Sequence, residues 1–361
     1  DSVADNLSPY IDAAPLVEQK YFLTTQQVDE ARHAVFFGRF MREVVETGGD
    51  DLAGTLEATR PELTWGFRKV FERLDKMADE LRRDRSRPQL AAAVTLYHIV
   101  IEAGLAQAGQ HFITNYLHER QLLPGFTEGM DNITQDEQRH IGFGVKLLAD
   151  LVKEDPDCRY AVADLLREVL PWTASVLAPP GWDRRYTECF GSTLEEIGAE
   201  GSRSLETKLR SAGLALETLP GAPPLPLHVS PEERARRGIA LVEAGMLGEK
   251  NGPASRDPEI VAMLFDTIAH SVDKDAAPPQ PTTIQWDFSD HEPWFLRIDN
   301  GATSAVQGRL EHPDVTLRTR FEDFVDVTAG RADPLRLLAR GRLRLRGRPR
   351  TLWRMRAVFP R

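Results

Sequence analysis

Cysteine is nearly absent: Cys158 and Cys189 are the two in 361 residues, too few and too isolated for a disulfide framework or a cysteine-ligated zinc site. Any metal must therefore be held by Glu, Asp and His. Long apolar runs are also lacking, since none approaches the ~20 residues of a bilayer span, and no basic start followed by an apolar core marks an export signal. A cytoplasmic protein without an integral membrane segment is the expectation. Positive charge is in deficit, 45 Lys and Arg against 55 Asp and Glu for a formal charge of -10, which disfavours nucleic acid as a partner because phosphate binding needs the opposite balance. What remains is a chain of ordinary globular composition, 41% hydrophobic and 28% charged, long enough for one or two domains.

Up to about residue 250 the pattern is helical. Segments 20–48, 61–83, 87–118, 123–154, 192–214 and 230–249 carry apolar residues at three- and four-residue intervals. Pro171 to Trp182 and the run from Gly221 to Pro226 interrupt the periodicity and read as loops. After Asn251-Gly-Pro-Ala-Ser255 the character changes. Asp257-Pro258 starts a helix reaching about Val272. Strand alternation then appears at Ile284, Trp286 and Phe288, at Val315 and Leu317, and at Leu343 and Leu345, each strand with one wet face. Phe321–Ala329 reads as a short helix stopped by Gly330, and Asp333-Pro334 opens another ending at Gly341. The expected architecture is an all-α bundle over 1–250 followed by a small α+β domain over 251–361. The alternating Arg342, Arg344, Arg346, Arg348 and Arg350 read as a solvated strand face.

The bundle region contains Asp29-Glu30-Ala31-Arg32-His33 and, far downstream, Asp136-Glu137-Gln138-Arg139-His140. Glu and His three apart on a helix project about 60° apart with about 4.5 Å of rise, so each pair can grip one ion from one face. A single Glu-x-x-His is weak evidence, but two copies sharing Asp and Arg are not. A surface salt-bridge pattern is the alternative. Against it stand the apolar flanks Val35, Phe36, Phe37 and Phe40, and Ile141, Phe143, Val145 and Leu148, which place both copies beside a core where Glu and His must be paired or coordinated. A bundle di-metal site takes two such motifs plus a Glu from each of two further helices. Glu102, in the otherwise apolar run from Tyr97 to Leu105, supplies one; no matching position in the chain supplies the other.

In order and spacing, these residues resemble the ribonucleotide-reductase small-subunit superfamily of ferritin-like di-metal proteins, and most closely its ligand-binding oxidases. The segments 21–37 and Val3 to Pro9 look like the first two site helices of those oxidases. The resemblance implies metal ligation by Glu30, His33, Glu102, Glu137 and His140, with a further Glu falling just before Asp1, so that the chain as given starts inside the first site helix. It implies that Asp29 and Asp136 support the ligand histidines, and that Val3 and Tyr97 match a pair joined by an ether cross-link. The radical-storing Tyr of true reductase subunits is Phe37 here. It further implies two iron ions or a Mn/Fe pair, O2 as co-substrate, an electron donor and a homodimer. Over about 256–361, the run from His312 to Gly330, Asp333-Pro334 and Gly341 to Gly347 resemble a sterol carrier protein type 2 domain, which implies a shell around an apolar tunnel.

The function expected is an O2-activating di-metal oxidase or monooxygenase acting on a hydrophobic or acyl-bearing small molecule. The alternative is a non-catalytic, metal-containing lipid- or fatty-acid-binding protein.

Overall fold

The computed structural model describes residues 2–348 except 50, 179, 180, 182, 222–224, 274–276 and 300, and the side chains of residues 2 and 3 lie outside that description. Val3 and Arg350 therefore fall outside the described side chains. The chain divides into two compact units, 1–165 with 183–216, and 166–182 with 217–361. Helix Pro231–Glu243, which precedes the expected boundary at 250, lies on the second unit's side of this division.

The first unit is helical: α1 (Ser2–Ala13), α2 (Val17–Glu43), α3 (Leu52–Thr59), α4 (Trp65–Arg83), α5 (Arg87–Val94), α6 (Gln107–Arg120), α7 (Pro124–Glu154), the start of α8 (Cys158–Thr173), α9 (Arg185–Glu188) and α10 (Leu194–Ser211). Caps set several starts: the side chains of Thr64, Ser86 and Thr193 each accept a bond from an N–H of the first turn. Where a loop is expected from Pro171, α8 instead runs through that proline to Thr173. Around the middle of the unit, α2 packs on α1 and α7.

Between α5 and α6 the chain continues without a break as a π-helix, Thr95–Ala106, in which the N–H of Gln107 bonds to the carbonyl of Glu102 five residues back. Such winding usually lasts a single turn and gathers at functional sites. Tyr97 and Glu102 both lie buried in it, near enough for the charge of Glu102 to act on the Tyr97 hydroxyl. The full helix Arg87–Arg120 is long and apolar enough to cross a membrane by length and composition, unlike the short runs expected from sequence, yet 78% of its most apolar window is buried inside the protein. Burial among neighbouring helices accounts for that apolarity.

Close approach to the π segment depends on glycine. A Cβ on Gly201 of α10 would stand 2.5 Å from the carbonyl oxygen of Gly104, a backbone atom that cannot swing away. Gly201→Ala is expected to destabilise the helical unit by about 1–2 kcal/mol despite the better helix propensity of alanine, because overpacking against backbone outweighs the propensity gain. Thermal unfolding checks this; an unchanged or raised midpoint would contradict the packing described.

In the second unit, α11 (Pro231–Glu243) and α12 (Pro258–His270) precede a five-stranded mixed sheet of order β3-β2-β1-β4-β5, with β1 Thr282–Phe288, β2 Trp294–Asp299, β3 Ala302–Gln307, β4 Val315–Thr319 and β5 Arg344–Gly347. Strand β1 pairs antiparallel with β2 and parallel with β4, and α13 (Phe321–Thr328) and α14 (Pro334–Ala339) follow β4. Phe265 of α12 stacks on Trp294 at 4.4 Å and on Phe324 of α13 at 5.3 Å, closing an aromatic core over the sheet. Gly330 ends α13 at φ 72, a backbone shape glycine adopts without strain.

The expectation of one wet face per strand fails at β1, where Gln285 is as buried as its apolar neighbours Ile284 and Trp286. Its amide donates to the carbonyls of Trp294 (2.9 Å) and Gly308 (3.1 Å), and its oxygen accepts from the N–H of Leu310 (2.9 Å), so the polar group is satisfied inside. Arg344 and Arg346 in β5 are exposed.

Candidate metal centre

Helices α2 and α7 run antiparallel, and the two Asp-Glu-x-Arg-His copies meet across them in reciprocal pairs. Nε2 of His33 lies 3.1 Å from an oxygen of Asp136, and Nε2 of His140 lies 3.2 Å from an oxygen of Asp29. Each aspartate thus holds the histidine of the opposite copy rather than its own. Arg32 pairs with Asp29 and reaches Asp136 at 3.5 Å; Arg139 pairs with Asp136 and reaches Asp29 at 3.5 Å. The arginines lie exposed while Glu30, His33 and His140 are buried, so the motif makes a surface salt-bridge lattice on one side and a sequestered cluster on the other.

Not all of the expected flank faces inward. Val35 is 52% and Phe37 38% exposed. An apolar residue is free to sit on a wet face, so their presence beside His33 says less than expected about its burial. Phe36 and Phe40 do pack inward, on Phe126 at 5.3 and 4.0 Å, and Phe143 stacks on Phe22 at 4.1 Å.

With Nε2 turned to an aspartate, each imidazole presents Nδ1 to the glutamates. Nδ1 of His33 stands 3.6 Å from Glu30 and 3.6 Å from Glu137; Nδ1 of His140 stands 3.6, 3.7 and 3.8 Å from Glu30, Glu102 and Glu137. One donor atom from each of Glu30, Glu102, Glu137 and His140 falls within 4.8 Å of all the others. These separations are too long for hydrogen bonds, yet two donors each about 2.1 Å from a shared ion stand about 3–4 Å apart. Nδ1 of His140 and Oε2 of Glu137, 3.8 Å apart, are buried with no hydrogen-bond partner, and so is Oε2 of Glu102, the oxygen that Gln26 does not bond. Orphaned acceptors converging on one point are costly by themselves and fit a cation. The donor set of carboxylate oxygens and imidazole nitrogens suits iron or manganese.

The protonation chemistry of the cluster points the same way. Burial, then the charges of Glu137 and Glu30, push the carboxyl of Glu102 well above the usual range. Burial and Glu30 likewise raise Glu137. Burial works to lower His33 and His140, but their acidic neighbours outweigh it and both are raised. Without positive charge, then, the cluster takes up protons.

Gln26 and His98 belong to this region, and the sequence patterns did not single them out. The amide of Gln26 donates to Oε1 of Glu102 at 3.0 Å, and its oxygen lies 3.1 Å from Nε2 of His98, which therefore donates to it. Burial first, and His140 second, push His98 down to about 3, so it serves as a neutral donor. A Cβ on Gly144 of α7 would stand 2.3 Å from Cβ of His98, so this glycine gives the ring its place. For His98 the available signal was a histidine in the apolar run from Leu96 to Ile101; Gln26, among Thr and Gln, carried none. The hydroxyl of Tyr97 donates to Oε1 of Glu30 at 3.1 Å, and its ring meets Tyr10 edge-on at 5.6 Å.

Comparison with known proteins gives two kinds of likeness. Residues 260–360 match the family described as alkyl sulfatase C-terminal, a different description from the sterol carrier domain expected there. Among solved structures, an R2-like ligand-binding oxidase from Sulfolobus acidocaldarius is 24% identical with a TM-score of 0.46, covering 60% of this chain and 75% of that one. A variant R2-like ligand-binding oxidase with an anaerobically reconstituted Mn/Fe cofactor is 23% identical, with a TM-score of 0.47 over 58% of this chain and 73% of that one. Another variant, with an aerobically reconstituted Fe/Fe cofactor, is 23% identical, with a TM-score of 0.40 over 59% and 67%.

Proposed function

We propose that the helical unit is a di-metal oxidase centre that activates O2, holding two iron ions or a Mn/Fe pair through Glu30, His33, Glu102, Glu137 and His140. The observation that carries this reading is that Glu102, Glu137 and His140, whose ligand atoms lie within 4.8 Å of one another, each bury an atom with no hydrogen-bond partner. When bound, a redox-active metal pair would supply the electrons that dioxygen needs.

The protein's own residues set the conditions for that chemistry. Asp29 and Asp136 accept from Nε2–H of the opposite histidine, which fixes each tautomer with the Nδ1 lone pair inward and makes the imidazole a better donor. Gln26, itself held by His98, donates to Oε1 of Glu102 and leaves Oε2 without a hydrogen-bond partner, free for an ion. Tyr97 holds a proton at its hydroxyl, 3.1 Å from Glu30, in a buried position that keeps it from ionising. Phe22 and Phe143 beside His140 and His98 limit water on that side. Phe37 argues against a tyrosyl-radical subunit.

The substrate in this reading is a hydrophobic or acyl-bearing small molecule, with an external electron donor, in a cytoplasmic homodimer. The lipid-carrier role for the C-terminal unit and the Val3–Tyr97 cross-link belong to the same proposal. Anaerobic loading with Fe2+ followed by air is expected to give O2 uptake and oxidised-iron absorption. Protein that binds iron but leaves O2 untouched would end the oxidase reading and favour a non-catalytic metal-containing carrier.

A further inference from the structure

We propose that His228, Asp266 and His270 form a second metal site, in the C-terminal unit, for an imidazole-preferring divalent cation of the zinc class. A donor atom from each of the three lies within 4.8 Å of the other two. Asp266 and His270 are one turn apart on α12, and His228 comes from the segment that precedes α11. Nε2 of His228 is 3.8 Å from Oδ2 of Asp266, and Nδ1 of His270 is 3.4 Å from Oδ1.

The arrangement is held before any ion arrives. Nδ1 of His270 donates to the carbonyl oxygen of Asp266 at 2.8 Å, which sets the ring's rotation on the helix and leaves Nε2 as the nitrogen that could take an ion. The two imidazoles stack with centroids 3.7 Å apart and planes 20° from parallel. A neutral imidazole keeps the lone pair of one ring nitrogen for a metal. On the far side of Asp266, Nη1 of Arg237 binds Oδ2 at 2.7 Å, and its Nε is held by Glu233 at 2.7 Å.

Arg237 also decides which cation fits. It cancels the charge of Asp266, so a hard ion such as Ca2+ or Mg2+ gains little from a single neutralised carboxylate. Two imidazoles still offer nitrogen donors, which suit zinc, copper, iron and nickel. The three side chains are 39%, 40% and 36% exposed, which gives an entry path and leaves the remaining coordination positions to water. A bound ion would clip the chain before α11 to α12, and this role does not depend on the centre in the helical unit.

The test is zinc titration of the whole chain by calorimetry, with bound zinc counted after gel filtration. His228→Gln combined with His270→Gln is expected to lose one zinc equivalent relative to the parent. Arg237→Gln is expected to bind zinc more tightly at this site, since the competing cation is gone. The histidine positions are exposed, so the double variant should fold, which its unfolding midpoint without metal verifies. Equal zinc counts in the double variant and the parent would overturn the proposal, as would weaker zinc binding in Arg237→Gln.

Discussion

Glutamine in place of Glu102 is expected to cost the protein at least about 100-fold in affinity for the metal pair, the upper end of what losing even a supporting partner does. The exchange keeps size and the bond from Gln26, and removes only the charge. In the metal-free protein the same exchange should act in the opposite sense. A buried carboxylate crowded by Glu137 and Glu30 destabilises the folded state, so its neutral isostere should raise the unfolding midpoint by a few degrees. Metal content after dialysis and thermal unfolding read the two effects separately. Full metal retention by Glu102→Gln would place the ion elsewhere.

Stability should also respond to pH in opposite directions with and without metal. Glu102 and Glu137 are raised above the ordinary glutamate value of 4.5, and His33 and His140 above the ordinary histidine value of 6.5. A group raised in the folded state makes that state bind more protons than the unfolded chain. Its contribution is complete below the unfolded value and is lost as pH climbs through the folded one. The metal-free protein is therefore expected to weaken as pH rises from about 4.5 through neutrality. Metal must displace those protons, so the stabilisation it brings should grow over the same range. Unfolding midpoints measured from pH 5 to 8 with and without Mn2+ test this; parallel curves would mean that the ion does not use these side chains.

Much of the centre was legible because chelation leaves a local trace. A Glu-x-x-His on one helix face is a four-residue fact, and its duplication with Asp and Arg made the partner helix identifiable. Glu102 was legible for the complementary reason, as a charge in an apolar run. The exchange of partners, with Asp29 on His140 and Asp136 on His33, was not, because it depends on the antiparallel packing of α2 and α7. The π winding at Thr95–Ala106 changes the backbone register without changing the apolar pattern, and the bonds from Gln26 of α2 to Glu102 and His98 depend on packing between helices, so neither was within reach.

In the C-terminal unit, β1, β4, β5, α12, α13 and α14 carried alternation or Asp-Pro and Gly punctuation that marked them in advance. Strands β2 and β3 did not. Trp294-Phe-Leu296 is apolar without alternation because β2 is buried on both faces at that point, and β3 is mostly small and polar. Gln285 disguised the depth of β1, since a polar residue reads as a wet face until its three carbonyl and N–H partners are known.

The most direct measurement is anomalous scattering at the iron and manganese edges from crystals of the metal-loaded protein. Two strong peaks enclosed by Glu30, His33, Glu102, Glu137 and His140 are the expected result. No peak there, or metal found only beside His228 and His270, would contradict a di-metal centre in the helical unit.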